Sequence, residues 1–165
     1  MKTVQAWTTH EEILGGAVDL NATISELEKV VRSVFGERFQ LHTKLDPLVG
    51  RINADARTID RLLVSLVINA QAPTGPRTEI TVSTANVDLD LSTARELQLP
   101  GREYVQLELM CGHGGIGELA TVRDIVRETG GAVSVRICAE KGSIVTILLP
   151  RARAIRASVQ PDSFD

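Results

Sequence analysis

The sequence lacks most features that would mark a special environment. Its 165 residues include only two cysteines, Cys111 and Cys138. Two are too few for a disulfide framework and have no metal-ligand spacing, so the expected setting is reducing and cytoplasmic. Charge is nearly balanced, with a formal net charge of −3. Nothing in that balance points to nucleic acid or an anionic membrane as partner. No apolar run approaches the roughly 18 residues needed to span a bilayer. The opening stretch, Met1 to Glu12, has no apolar signal core. Internal repeats and low-complexity segments are missing too. What remains is an ordinary balance of 43% hydrophobic and 24% charged residues, in a length that suits one domain with a real core.

Residues 1–18 are the least patterned and read as a lead-in. From Asp19 the signals sharpen. Asn21 is the expected N-cap of a helix whose apolar positions are Ile24, Leu27, Val30, Val31 and Val34, with Gly36 as its stop. Phe39, Leu41, Thr43 and Leu45 alternate as in a strand. A turn and a short extended piece around Ile52 follow. The clearest helix is capped by Asp55, with Ile59, Leu62, Leu63, Leu66, Val67 and Ala70 in one apolar stripe. Residues 73–77, "PTGPR", break it. Two strands, 78–87 and 104–111, flank a polar connection with a possible helical turn. Residues 118–131 read as a helix ended by Gly130 and Gly131, and residues 132–150 as a hairpin of two strands. The end, with Arg151, Arg153 and Arg156, reads as a solvated tail. This order predicts an α/β (α+β) two-layer sandwich, a mixed sheet covered on one face by about three helices.

The densest local signal is the run Cys111-Gly112-His113-Gly114-Gly115-Ile116-Gly117-Glu118, where four glycines fall between a strand and a helix. Such loops often cradle phosphate on backbone amides at a helix start.

From Val18 to Pro150 the chain resembles the ATP-binding domain of sensor histidine kinases, the Bergerat fold shared with gyrase and some heat-shock chaperones. The pieces that carry the resemblance are "VDLNATISELEKVV", "INADARTIDRLLVSLVINAQA", "TEITVSTANV", "YVQLEL", "LATVRDIVRETGGAVSV" and "KGSIVTILLP", in the family's order. The resemblance implies ATP and magnesium as cofactors. It implies a lead-in over 1–18, a domain over 19–150 and a flexible tail over 151–165. It also implies that Asn69, matching the second asparagine of the family's asparagine box, is a magnesium ligand. At about 100° per residue Asn69 falls almost in line with Leu62, so its carboxamide either faces a cavity or is satisfied by a neighbouring carbonyl. The first asparagine of that box is Ser65 here, and Gln71 and Ala72 replace the charged residues that follow.

The family's D-x-G-x-G box falls at the glycine run. Strand parity places Val105, Leu107, Leu109 and Cys111 on one face, which puts Cys111 at the aspartate position. A shift of one residue keeps both glycines of the box, and neither register has an aspartate. That carboxylate accepts from the adenine amino group in the family, and a thiol accepts weakly. Losing a charged hydrogen bond costs about 1.5–3 kcal/mol, a ten- to hundredfold loss of affinity. The family's phenylalanine box and long lid are missing, since the chain runs from Gly115 almost directly into the next helix. Glu118 stands in that helix's first turn, at the pole an anion would want.

Two readings of the loop stand: a glycine-rich shortcut across a lost lid, or a phosphate cradle. If nucleotide binding is retained, its residues are Asn69, Cys111, Gly112, Gly114, Gly115 and Gly117, with Asn69 on the metal. His10, His42 and His113 are each read as ordinary histidines rather than phosphoacceptors. Autophosphorylation is not expected, because the chain has no acceptor hairpin. The expected function is that of a degenerate, pseudokinase-like module in two-component signalling. Its expected partner is a histidine-containing helical hairpin or a response regulator. The alternative is an active kinase catalytic domain.

Overall fold

The computed structural model describes residues 17–70, 77–112, 117, 119–140 and 142–152. The first element is a two-residue strand, β1 (Ala17–Val18). Helix α1 (Leu20–Phe35) follows at once. Its N-cap is Asp19, whose carboxylate accepts from the Ala22 amide at 3.1 Å. Asn21, expected in that role, is two residues too far in and does something else. Its Nδ2 donates to the Asp46 carbonyl at 2.8 Å, and its Oδ1 accepts from the Thr84 hydroxyl at 2.9 Å. The Asp46 amide in turn donates to Thr84 Oγ1 at 3.1 Å. A buried threonine is thereby satisfied while three segments are tied together.

Strand β2 (Phe39–Leu45) and the short β3 (Ile52–Asn53) lead to α2 (Ala56–Ala70). The Asp55 side chain accepts from the Arg57 amide at 3.3 Å, as expected of a cap. The expected apolar stripe of α2 is the buried one: Ile59, Leu62, Leu63, Leu66, Val67 and Ala70. Strand β4 (Thr78–Asp88) and β5 (Glu103–Cys111) flank a one-and-a-half-turn helix, α3 (Leu91–Glu96). Asp90 caps it, and the Thr93 amide bonded to its carboxylate holds that carboxyl below its ordinary range. Helix α4 (Ala120–Glu128) precedes the hairpin of β6 (Ala132–Cys138) and β7 (Gly142–Pro150).

The main sheet has the order β2-β4-β5-β7-β6, with β2 parallel to β4 and the other pairs antiparallel. One face is apolar along every strand. Ile80 and Val82, then Val105, Leu107, Leu109 and Cys111, then Val145, Ile147 and Leu149 all point into a single core with α1, α2 and α4. That is the expected two-layer sandwich of a mixed sheet and three helices. The fourth helix, α3, lies at a corner of the opposite face over Tyr104, Leu89 and Leu148.

The small pairing β1–β3 sets helix direction. α1 and α2 both leave that pair, so they run the same way, toward the end of the sheet where β5 stops at Cys111. The same corner takes in residues from both sides of the expected domain. β1 draws the last residues of the lead-in into the fold. Arg151, expected in the tail, is well packed, since its guanidinium meets Asp88 and lies 3.9 Å from Glu103. Its backbone amide donates to Glu103, and the next amide, of Ala152, donates to Arg51. Arg153, Arg156 and the rest of the expected tail lie outside the described residues.

Gly142 opens β7 with φ +81°, and a Cβ there would sit 2.1 Å from the Cys111 carbonyl oxygen. Both facts exclude any other residue. Gly142→Ala is expected to cost about 3 kcal/mol or more, from strained backbone plus overpacking. Urea unfolding measures it. A loss below about 1 kcal/mol would mean that the two strand ends are not held this closely.

Candidate functional site

The described residues of the expected site lie where β5 and α2 end and β7 begins. Register is the reason. On β5, alternation puts Cys111 on the buried face, between Ile80 of β4 and Ser143 of β7. Cys111, the residue the unshifted reading puts at the aspartate position, is thus the inward-facing one. Cys111 is 3% exposed, and desolvation pushes its thiol up to about 11. It is a neutral, protonated group at physiological pH. Cys138 sits at the end of β6 opposite Gly142, with side-chain parity for the other face of the sheet. The two thiols are free.

Ser143 went unnoticed in the sequence. It is as buried as Cys111 and stands beside it, one of two buried polar residues among those described. The signal was available: in "GSIVTILLP" it shares parity with Val145, Ile147 and Leu149. Together Cys111 and Ser143 make a floor of one thiol and one hydroxyl, with no formal charge.

Asn69 stands at the last turn of α2 and is half-buried. Its Nδ2 donates to the Ser65 carbonyl at 2.7 Å, four residues back on its own helix. The carboxamide is satisfied by a neighbouring carbonyl, the plainer of the two expectations. That bond also fixes the amide's rotation and turns Oδ1 away from the helix. The chain then closes over it. The Gly117 amide donates to the Asn69 carbonyl at 3.0 Å, and a Cβ on Gly117 would lie 3.3 Å from Asn69 Oδ1. Gly117 thus latches the start of α4 onto the end of α2, so α4 runs antiparallel to α2.

Gly112 extends the ladder by one bond, its amide donating to the Glu79 carbonyl at 3.3 Å. The structure brings Cys111 next to Gly112 and Asn69 next to Gly117. Gly114 and Gly115 lie outside the described residues, as do His113, Ile116, Glu118, Gln71, Ala72 and His10. His42 is exposed on the outer side of β2, the face that turns away from Asn69 and Cys111.

Magnesium takes hard oxygen ligands in octahedral geometry. Among the described residues the floor offers it one amide oxygen, Asn69 Oδ1, and no group of three or more His, Cys, Asp or Glu comes together. An adenine amino group needs an acceptor, and Cys111 offers a thiol. The described residues therefore fit a magnesium nucleotide poorly. Among them, no helix is long and apolar enough to cross a membrane.

The thiol's shift has a checkable sign. Its folded pKa lies above the 9.0 of an unperturbed thiol. Between about pH 9 and 11 the unfolded chain loses this proton and the folded one keeps it. Stability from this group is full below pH 9 and falls as pH rises to 11. Cys111→Ala is expected to flatten that part of the stability profile. In native protein, iodoacetamide is expected to label half-buried Cys138 first and spare Cys111 until unfolding. Equal labelling rates would contradict the buried floor.

Comparison with known proteins agrees with this geometry. No family model matches the chain. An uncharacterized sensor-like histidine kinase of Rhizobium meliloti is 27% identical over 127 residues, covering 67% of this chain and 24% of that protein. The chain thus spans about a quarter of that curated relative. Among solved structures, the mycobacterial sensor histidine kinase MprB superposes with TM-score 0.61 and 18% identity, over 84% of this chain and 98% of that one. Histidine kinase ThkA, in a complex with the response regulator TrrA, superposes with TM-score 0.62 and 19% identity, over 91% of this chain and 48% of that one. The chain has the fold of the ATP-binding catalytic domains of histidine kinases.

Proposed function

We propose that the chain is a regulatory or docking module of two-component signalling, a pseudokinase-like form of the histidine kinase ATPase fold with weak or no ATP turnover. The observation that carries this reading is the end of β5. Where the family resemblance calls for a carboxylate to bind adenine, a buried and protonated Cys111 faces Ser143. A thiol in place of a carboxylate forfeits about 1.5–3 kcal/mol of a charged hydrogen bond. The Gly117 amide, bonded to the Asn69 backbone carbonyl, is spent on packing rather than free for a phosphate, which supports the same reading. The partner class is supported by ThkA, whose structure includes the response regulator TrrA. We assign this domain a cytoplasmic place and a protein partner of that kind, a receiver or a histidine-bearing helical hairpin. We assign it no contact with nucleic acid or membrane.

A second reading, an active ATP-binding catalytic domain that phosphorylates a histidine on a separate hairpin, has one observation in its favour. The Asn69–Ser65 bond engages Nδ2 and not Oδ1, the atom a metal would take. Calorimetric titration with ATP and magnesium, beside Asn69→Ala, separates the two. The docking reading expects no saturable heat up to about 1 mM ATP, in either protein. Micromolar binding that Asn69→Ala abolishes would establish the second reading and overturn the first.

A further inference from the structure

Helix α2 has an outer face that the site does not use. At about 100° per residue, Arg57, Arg61, Val64 and Ile68 fall within an arc of about 60°, a stripe about 16 Å long opposite the buried side. Val64 is 47% exposed and Ile68 61% exposed. Both arginines are exposed, and among the described residues neither is in an ion pair. The neighbouring helix behaves differently. On α1, Glu26 pairs with Lys29 and Glu28 with Arg32, so its surface charge cancels locally. α2 packs between α1 and α4, which puts its stripe in the middle of the helix layer, with Ile68 next to Asn69 at the site end. In a chain of net charge −3, these two guanidinium groups outnumber the one carboxylate on the outer face of α2, exposed Asp60, and with two exposed aliphatics in line they form a local feature of opposite sign.

We propose that this stripe docks an acidic amphipathic helix of a partner protein. The positions 57, 61, 64 and 68 follow the three- and four-residue spacing by which one helix's ridges seat against another's. Arginine's planar fork suits carboxylates and holds them in register. The aliphatic half supplies burial that water-exposed charge pairs do not. The inference deepens the docking reading by naming the partner's chemistry and the face it meets. Nucleotide calorimetry tests that reading at the site. Peptide binding tests this one at α2, so the two fail separately.

The probe is a synthetic peptide about 18 residues long, long enough to hold a helix, built on a Glu/Leu/Ala amphipathic repeat. Its Lys/Leu/Ala counterpart is the control. Both are titrated into the full isotope-labelled chain and followed by amide shifts. The acidic peptide is expected to bind saturably, with shifts running from Arg57 to Ile68, and to weaken as salt is raised. The double change Arg57→Glu and Arg61→Glu is expected to lower affinity at least about tenfold, and Ile68→Ser to lower it as well, with far-UV circular dichroism unchanged. Any of four results overturns the proposal: no saturable binding of the acidic peptide, equal binding of the basic one, affinity indifferent to these changes, or shifts centred on another element. Binding of phosphatidylserine vesicles in place of the peptide would replace the helix by a membrane as occupant. Loss of a solution dimer in Ile68→Ser would replace it by a second copy.

Discussion

A sheet buried on one face cannot slip by one residue, and this constraint decides what stands at the site. β5 lies at the centre of the sheet, paired along its length with β4 and β7. A one-residue slip would turn Val105, Leu107 and Leu109 out of the core and bring Gln106 and Glu108 in. The cost of burying those polar groups far exceeds any local preference of the glycine run. Cys111 is therefore held on the inner face by residues that have nothing to do with its chemistry. Ser143 is placed beside it by the same logic on β7, and Gly142 lets the two strand ends close to contact.

The two ends of the molecule have been treated differently by the sequence. At one end, β1, β3 and Arg151 are tied by backbone bonds and by ion pairs to Asp88 and Glu103, and Asn21, Thr84 and Asp46 satisfy one another. These polar groups have structural partners. At the other end, the residues that resemblance would make functional are satisfied internally. Asn69 bonds its own helix, Gly117 bonds Asn69, and Cys111 is desolvated. Among the described residues there, the apolar packing is intact, and Cys111 and Ser143 carry no formal charge. Fold and chemistry separate readily in this way, because the core is specified by apolar periodicity and the site by a few polar residues.

That difference also explains what was legible. The stripe of α2 and the alternation of β5 are periodic, so the helices, the strands and even the face of Cys111 could be read from residue spacing. The cap of α1 could not. Asp19 and Asn21 are equally good caps, and only the distant Asp46 and Thr84 reveal why Asn21 is spent elsewhere. Arg151 looked like a tail because its partners, Asp88 and Glu103, are far away in sequence. Ser143 was visible by parity but sat in a run that otherwise read as plain core. Four glycines announced a loop and gave no sign of what, if anything, it holds.

We hold that the group ending β5 limits nucleotide affinity. The most direct measurement is ATP–magnesium binding to Cys111→Asp beside the unaltered chain. The account predicts a gain of about ten- to hundredfold in affinity, the return of one charged hydrogen bond, together with lower stability of the nucleotide-free protein from a buried carboxylate. Tight binding by the unaltered chain, with no gain from the aspartate, would contradict it.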